Sequence, residues 1–275
     1  MTVTLDAPSL INDATPPVVR IGDERSRNLR NLNLGAGVLH LISGLAMIVL
    51  GNDFSLPVTA FDAEGPPGTP ISEGSLEVLF DVPLAPMTAA FAFLSAFFHF
   101  LVASPLGAGT YRRELSAGRN RFRWVEYSLS ASLMILLILL LGGANDIAAL
   151  ITAGFVNASM ILFGWIMEMV NRPDRRVWWT PFWFGCIAGI APWVAFVTYL
   201  WFNVANGDEG PPAFVYGILV SIFILFNCFA VNQWLQYRAV GPWSDYVFGE
   251  KVYIGLSFVA KTALAWQVFA NVLID

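Results

Sequence analysis

Charged residues are scarce in this 275-residue chain. Only 13% of its residues are Asp, Glu, Lys or Arg, whereas 56% are hydrophobic. About a quarter of the residues of a soluble domain are charged, so this composition excludes an ordinary soluble protein and predicts an integral protein in contact with membrane lipid. The net charge of −5 also argues against a nucleic-acid partner, because binding to phosphates requires a basic surface.

Cysteine is almost absent as well. The two cysteines, Cys186 and Cys228, both lie inside apolar runs. In that setting a cysteine behaves as a small hydrophobic residue, so we expect neither to belong to a disulfide framework.

Seven apolar runs are long enough to cross a bilayer, which takes about 20 helical residues. The predicted spans are 29–50, 85–106, 122–143, 147–170, 178–203, 212–238 and 246–273. We therefore expect an all-α membrane domain over residues 29–275, with an external loop at 51–84, preceded by a polar cytoplasmic segment at 1–28. No signal peptide is expected, so the first span would act as an uncleaved signal.

Basic residues fall on one side of the predicted membrane. Thirteen arginines and Lys251 lie before span one, between spans two and three, between spans four and five, and around the ends of spans six and seven. The opposite loops are acidic, with Asp53, Asp62, Glu64, Glu73, Glu77, Asp81, Asp146, Asp208 and Glu209. Because positive loops remain in the cytoplasm, we expect a plasma-membrane protein with a cytoplasmic N-terminus and an external C-terminus.

The loop between spans one and two contains two stretches in which apolar residues alternate with polar or small ones. They flank the break Glu64-Gly-Pro-Pro-Gly68, and this pattern favours an external β-hairpin. The alternative is an acidic solvated loop. A hairpin with an apolar outer face would need cover, which suggests a lid or a subunit contact.

Lysine is rare, and one of only two lysines, Lys261, lies in the middle of the last span. An ammonium group in hydrocarbon is costly. It can pair with a carboxylate, line a water-filled path, or lose its charge by covalent chemistry such as imine formation.

Glu126 and Glu168 lie within predicted spans and are the candidate partners for Lys261. We expect Glu168, close to Arg172, to form a surface pair near the cytoplasmic end of span four. Glu126 lies deeper, and its spacing from Arg123 and Ser130 places the three side chains along one helical face. The sequence therefore predicts a buried Lys261–Glu126 pair.

The whole chain resembles the heliorhodopsins, retinal proteins with an inverted membrane orientation. The resemblance is densest in residues 123–132, Arg-Trp-Val-Glu-Tyr-Ser-Leu-Ser-Ala-Ser, and in residues 257–269, Ser-Phe-Val-Ala-Lys-Thr-Ala-Leu-Ala-Trp-Gln-Val-Phe. It implies a seven-helix rhodopsin-like bundle that binds all-trans retinal as a Schiff base on Lys261, with Glu126 as counterion. Ser130 and Ser257 are suited to donate hydrogen bonds near the imine.

A retinal slot needs flat apolar walls and a small residue beside the ring. Partly from the resemblance, the candidates are Tyr127, Asn157, Met160, Gly164, Trp193, Phe226, Gln233 and Trp266. The alternative for each aromatic is simple packing or contact with lipid, since the chain has ten Trp and 22 Phe.

Histidine is as rare as lysine. The resemblance places His40 and His99 in a hydrated, proton-accepting cavity with Glu126, Asn120 and Arg123, and titration near neutrality suits that role. The alternative is that both histidines are polar packing residues.

Three functions remain open at this point. The first is a light sensor that signals to a cytoplasmic protein and is not an enzyme; the resemblance implies that it is a homodimer. The second is a light-driven pump or channel. It is disfavoured because Leu137 and Ser257 stand where ordinary microbial rhodopsin pumps carry carboxylates. The third is a transporter or enzyme that uses Lys261 and Glu126 without a chromophore.

Overall fold

Seven helices of the described chain are long and apolar enough to cross a membrane, as predicted. The computed structural model describes residues 21–171, 176–207 and 210–274. The helices are α1 Asp23–Leu50, α2 Leu84–Ala103, α4 Arg121–Leu141, α5 Ile147–Val170, α6 Thr180–Asn206, α7 Ala213–Tyr237 and α8 Tyr246–Val268, which continues as a π-helical turn Phe269–Leu273. Arg20, Arg172, Arg175, Asp208 and Glu209 lie outside the described residues.

A short helix that the hydropathy pattern did not predict, α3 Pro105–Ser116, joins α2 to α4. Span two was expected to continue to residue 106, but α2 ends at Ala103 because Ser104 is extended before Pro105. Pro105 then begins α3, where its missing N–H costs nothing. Gly118, with φ +67°, turns the chain towards α4.

The loop between α1 and α2 forms the predicted β-hairpin. Strand β1 Ser55–Asp62 pairs antiparallel with β2 Ser75–Pro83, with an irregularity at Val58/Thr59. The backbone N–H of Thr59 donates to the carbonyl of Asn145, 2.9 Å away, in the loop between α4 and α5. The hairpin is thereby fixed to one end of the bundle, which we call the hairpin end; the opposite end, with α3, is the α3 end.

The apolar core fills the hairpin end. Met134, Ile135, Leu137 and Ile138 of α4 are at most 1% exposed and pack with side chains of α2, α6 and α8. The buried Arg, Lys and Glu residues of the described spans lie instead at mid-depth or towards the α3 end. The fold therefore places its polar chemistry in one half of the bundle.

Candidate functional site

Lys261 and Glu126 form a buried ion pair between α8 and α4. The Lys261 Nζ atom lies 2.7 Å from Glu126 Oε1 and 2.7 Å from Ser257 Oγ, one turn earlier on α8. The Ser95 hydroxyl of α2 also donates to Glu126 Oε1, at 2.6 Å. Buried charges persist when they are paired and hydrogen-bonded, and this pair meets both conditions.

Tyr127 closes the pair on one side. The Lys261 Nζ atom lies 4.9 Å from the centre of the Tyr127 ring, within the range of a cation–π contact. The Tyr127 hydroxyl donates to the backbone carbonyl of Tyr253 at 2.9 Å, which fixes the ring in place. The amine therefore has an anion, a hydroxyl and an aromatic face around it.

A cavity of about 610 Å³ begins at Lys261 and runs between α4, α5, α6 and α7. Its walls are mainly aromatic and apolar, and its volume lies in the range of small-molecule sites. The predicted residues that line it are Tyr127, Ser130, Met160, Gly164, Trp193, Phe226, Gln233, Ser257 and Lys261.

Gly164 allows the Trp124 ring to lie close to the backbone of α5 at the cavity wall. A Cβ atom at this position would lie 2.5 Å from Cζ3 of Trp124, which also lines the cavity. Opposite it, Gln233 donates through Nε2 to the Gly164 carbonyl at 3.1 Å. A larger residue at 164 would displace the Trp124 ring.

Two predicted slot residues lie elsewhere. Asn157 is buried, but its amide donates to Ser132 at 3.2 Å and it does not line the cavity. Trp266 is 40% exposed and packs edge-on against Phe269, because its position on α8 turns it away from Lys261. The structure therefore does not bring either residue to the cavity wall.

A second, polar cavity of about 30 Å³ lies towards the α3 end. Glu126, His99, Asn120 and Arg123, which the family resemblance groups in one cavity, line it. His40 is 1% exposed and stacks on His99, with ring centres 5.6 Å apart. The two histidines and Glu126 therefore lie in one connected region.

The expected surface position of Glu168 is wrong. Glu168 is 3% exposed and pairs with Arg123, while Trp124 Nε1 donates to its carboxylate at 2.5 Å. Arg123 reaches it from the neighbouring helix α4, a contact that local spacing along α5 does not reveal. The predicted partner Arg172 lies outside the described residues.

Four further polar residues line the second cavity and were not predicted from the sequence. They are Asn33, Ser95, Tyr111 and Glu250. Glu250 pairs with Arg123 and is 2% exposed. A signal for Glu250 was present, because it lies inside the last predicted span, eleven residues or about three helical turns before Lys261, on the same face.

Seven membrane-length helices around a buried lysine–carboxylate pair define a rhodopsin-like membrane protein. The family model Heliorhodopsin matches residues 29–273, and the chain belongs to the heliorhodopsin family. Membership of this family implies a retinal chromophore and a response to light. None of the curated proteins matches the chain significantly.

Solved structures share the fold at low identity. A light-driven proton pump from Leptosphaeria maculans is 17% identical, with a TM-score of 0.60 over 92% of this chain and 98% of that one. Xanthorhodopsin, a light-driven ion pump with a dual chromophore, is 13% identical, with a TM-score of 0.61 over 91% and 94%. The transmembrane domain of Salpingoeca rosetta rhodopsin phosphodiesterase is 12% identical, with a TM-score of 0.61 over 90% and 88%.

Proposed function

We propose that the protein is a light sensor that binds all-trans retinal covalently, as a Schiff base on Lys261 with Glu126 as counterion. The observation that carries this proposal is the 2.7 Å contact between Lys261 Nζ and Glu126 Oε1 at the end of an apolar cavity. An amine held in this setting is accessible from the cavity and faces an anion that would stabilise a positive charge on its nitrogen.

The cavity residues fit such a chromophore. Ser130 Oγ is buried in the cavity wall and has no hydrogen-bond partner among the described residues. A buried hydroxyl without a partner is unusual and is suited to a polar atom of a ligand near Lys261. Trp193 and Phe226 supply flat apolar walls further along the same cavity.

Retinal, when bound, supplies absorption of visible light and a change of shape. The residues of the protein itself then control the charge at the Lys261 nitrogen. Glu126 and Ser257 hold the proton at the Lys261 nitrogen, and the aromatic walls exclude water from it. The polar cavity with His99, Asn120 and Arg123 lies on the far side of Glu126, and we propose that a proton released from the nitrogen is received there.

We propose an orientation with the α3 end in the cytoplasm of a plasma-membrane protein. All the described arginines and Lys251 lie at or towards that end, whereas the loops at the hairpin end carry Asp and Glu. This distribution supports the cytoplasmic N-terminus by the positive-inside rule. The arginine-rich surface is then the one available to a cytoplasmic signalling protein.

We propose that the protein neither pumps ions nor catalyses a reaction. In the described helices, no Asp, Glu, Lys or Arg lies between Lys261 and the hairpin end, and Leu137 is fully buried in that half. An ion crossing this region would meet a large barrier because nothing there replaces its hydration. The alternative is a light-driven transporter or channel, a function named for the L. maculans protein with the same fold.

We also propose a homodimer that forms through the hairpin. Leu76, Val78 and Phe80 of β2 are 50–68% exposed and form an apolar face beside the bundle. Val78→Asp should convert a dimer in mild detergent to a monomer, as measured by light scattering. An unchanged mass would place the dimer contact elsewhere or exclude it.

The function is tested by adding retinal to membranes that contain the protein. The unsubstituted protein, called the parent below, should become coloured and Lys261→Ala should remain colourless. A Lys251→Ala control should behave as the parent. Illumination of coloured cells in unbuffered medium should leave the external pH unchanged. A colourless parent would refute the retinal proposal, and a steady light-dependent pH change would establish the transport alternative.

A further inference from the structure

The charges buried in the bundle do not balance. Five Arg, Lys and Glu residues of the described spans are at most 5% exposed: Arg123, Glu126, Glu168, Glu250 and Lys261. Lys261 and Glu126 neutralise each other, but the single guanidinium of Arg123 faces both Glu168 and Glu250. One negative charge is therefore in excess, so one of the two carboxylates beside Arg123 can take up a proton without leaving the guanidinium unpaired.

Glu168 accepts four hydrogen bonds, one more than Glu250. Its Oε2 accepts the backbone N–H of Asn120 at 2.9 Å and the indole N–H of Trp124 at 2.5 Å. Its Oε1 accepts from Arg123 and from the Tyr246 hydroxyl. Three of these four donors cannot act as acceptors, so a proton on Glu168 would displace established hydrogen bonds. Glu168 also does not line the polar cavity.

Glu250 has fewer donors and faces that cavity. Its Oε1 accepts from the Tyr111 hydroxyl at 2.9 Å and from the Asn120 amide at 2.7 Å, and its Oε2 accepts from Arg123. A tyrosine hydroxyl can either donate or accept. If Glu250 takes up a proton, Tyr111 needs only to turn its O–H to accept from the new acid.

Tyr111 remains a neutral hydroxyl in this position. It lies on α3, outside the spans, and burial, together with the nearby Glu250 carboxylate, raises the pKa of Tyr111 well above its ordinary value. It is therefore suited to relay a hydrogen bond, not to hold a negative charge.

A continuous polar region joins Glu250 to the Lys261–Glu126 pair. Glu126 and Glu250 line the same cavity, whose 30 Å³ is space for about one or two water molecules. Along its wall, His99 Nδ1 lies 2.7 Å from Asn33 Oδ1, and Asn33 Nδ2 lies 3.5 Å from the Tyr111 oxygen. These contacts reach from His99 to Tyr111, and the water that the cavity can hold would connect Glu126 to Glu250.

We infer that Glu250 is the terminal acceptor of the proton that leaves the Lys261 nitrogen, with Tyr111 as the group that adapts to it. The inference rests on the proposed function. The nitrogen changes from positive to neutral, Glu250 changes from negative to neutral, and the net charge of the five buried residues is unchanged. The transfer removes the charge that Arg123 shares with α8 and so changes contacts between α3, α4 and α8.

The histidines are less suited to be the final acceptor. The His40 ring lies between the His99 ring and the Phe258 ring, with centres 5.6 Å from each, and its Nε2 has no partner among the described residues. A charge on His40 would have no anion in contact. His99 contacts the neutral Asn33 amide, which suits a relay.

The test is light-minus-dark infrared spectroscopy of the retinal-loaded protein. When the Lys261 nitrogen loses its proton, the parent should gain a carbonyl band from a newly protonated carboxyl group. Glu250→Gln should abolish this band. Glu114→Gln is the matched control, because Glu114 is also buried but pairs with Arg121 outside both cavities, and it should retain the band at full intensity.

Every outcome of this experiment either supports or overturns the role of Glu250. A band that persists in Glu250→Gln, or deprotonation of the nitrogen without any carboxyl band in the parent, overturns the inference. If Glu250→Gln does not fold, Tyr111→Phe replaces it. This variant removes one hydrogen bond to Glu250 and should shift the frequency of the band, whereas an unshifted band would overturn the assignment.

A retinal-free measurement separates this inference from the proposed function. Acidification of the protein without retinal should produce the same carboxyl band, which Glu250→Gln should remove and Glu114→Gln should not. This band, if Glu250→Gln removes it from a protein that never becomes coloured, would refute only the retinal proposal. A coloured protein without this band would refute only the role of Glu250.

Discussion

Replacement of Glu126 by Gln tests the counterion most simply. Gln has nearly the same shape and still accepts the Ser95 hydrogen bond, but it carries no charge. The negative charge removed lies 2.7 Å from the Lys261 nitrogen, and both side chains are at most 5% exposed. Loss of one partner of a buried ion pair costs about 3–5 kcal/mol.

That energy sets the size of the expected effect. Since each 1.4 kcal/mol is about tenfold in an equilibrium, the ratio of protonated to neutral imine at a given pH should fall by about 10²–10⁴-fold. The purified Glu126→Gln protein, loaded with retinal, should lose visible absorption at neutral pH and regain it on acidification, because only the protonated imine loses its stabilising anion.

The assay is a pH titration of the visible spectrum, run beside the parent and Glu114→Gln. The control should titrate as the parent does, because the Glu114 carboxylate pairs with Arg121 and does not contact the lysine. A Glu126→Gln protein with the parent's spectrum at every pH would remove Glu126 from the counterion role.

Three further variants test the surroundings of the pair. Ser95→Ala removes a hydrogen bond to a charged group, worth about 1.5–3 kcal/mol, and should shift the absorption maximum without loss of colour. Gly164→Ala places a Cβ against Trp124 and should lower retinal occupancy, with an overpacking cost of about 1–3 kcal/mol visible as a lower Tm. Arg123→Met leaves Glu168 and Glu250 without their cation and should lower stability by about 3–5 kcal/mol, measured by thermal unfolding in detergent.

Matched controls exist in the same helices or on the surface. Ser159→Ala removes a hydroxyl that bonds only its own helix, and should not move the spectrum. Gly154→Ala meets its nearest side chain at 3.6 Å, an ordinary contact, and should keep full occupancy. Arg238→Met removes an exposed guanidinium. If a control and its partner variant behave alike, the specific contact is not the cause.

The spans and the hairpin were predictable because they depend on local patterns. A run of about 20 apolar residues needs a helix in lipid, and alternation around a Gly/Pro break favours two paired strands. Lys261 and Glu126 were predictable for a similar reason, since a buried cation requires an anion. The helix α3 was not, because its polar sequence shows no hydropathy signal and its start depends on Pro105.

The polar network at the α3 end depends on contacts between helices. Glu168 has Arg172 nearby in sequence, but in the fold Arg123 of α4 reaches it first. Glu250 is followed by the exposed Lys251, which makes its segment resemble a membrane boundary. Only the packing of α8 against α3 and α4 turns this carboxylate inwards to Tyr111 and Arg123.

The most direct measurement is chemical trapping of the chromophore. Retinal-loaded protein is reduced with borohydride, digested, and its retinyl-bearing peptide identified by mass spectrometry. The chain provides its own control, since Lys251, the only other lysine, is exposed. We predict that the label is on Lys261 alone; a label on Lys251, or a coloured protein that yields no labelled lysine, would contradict the account.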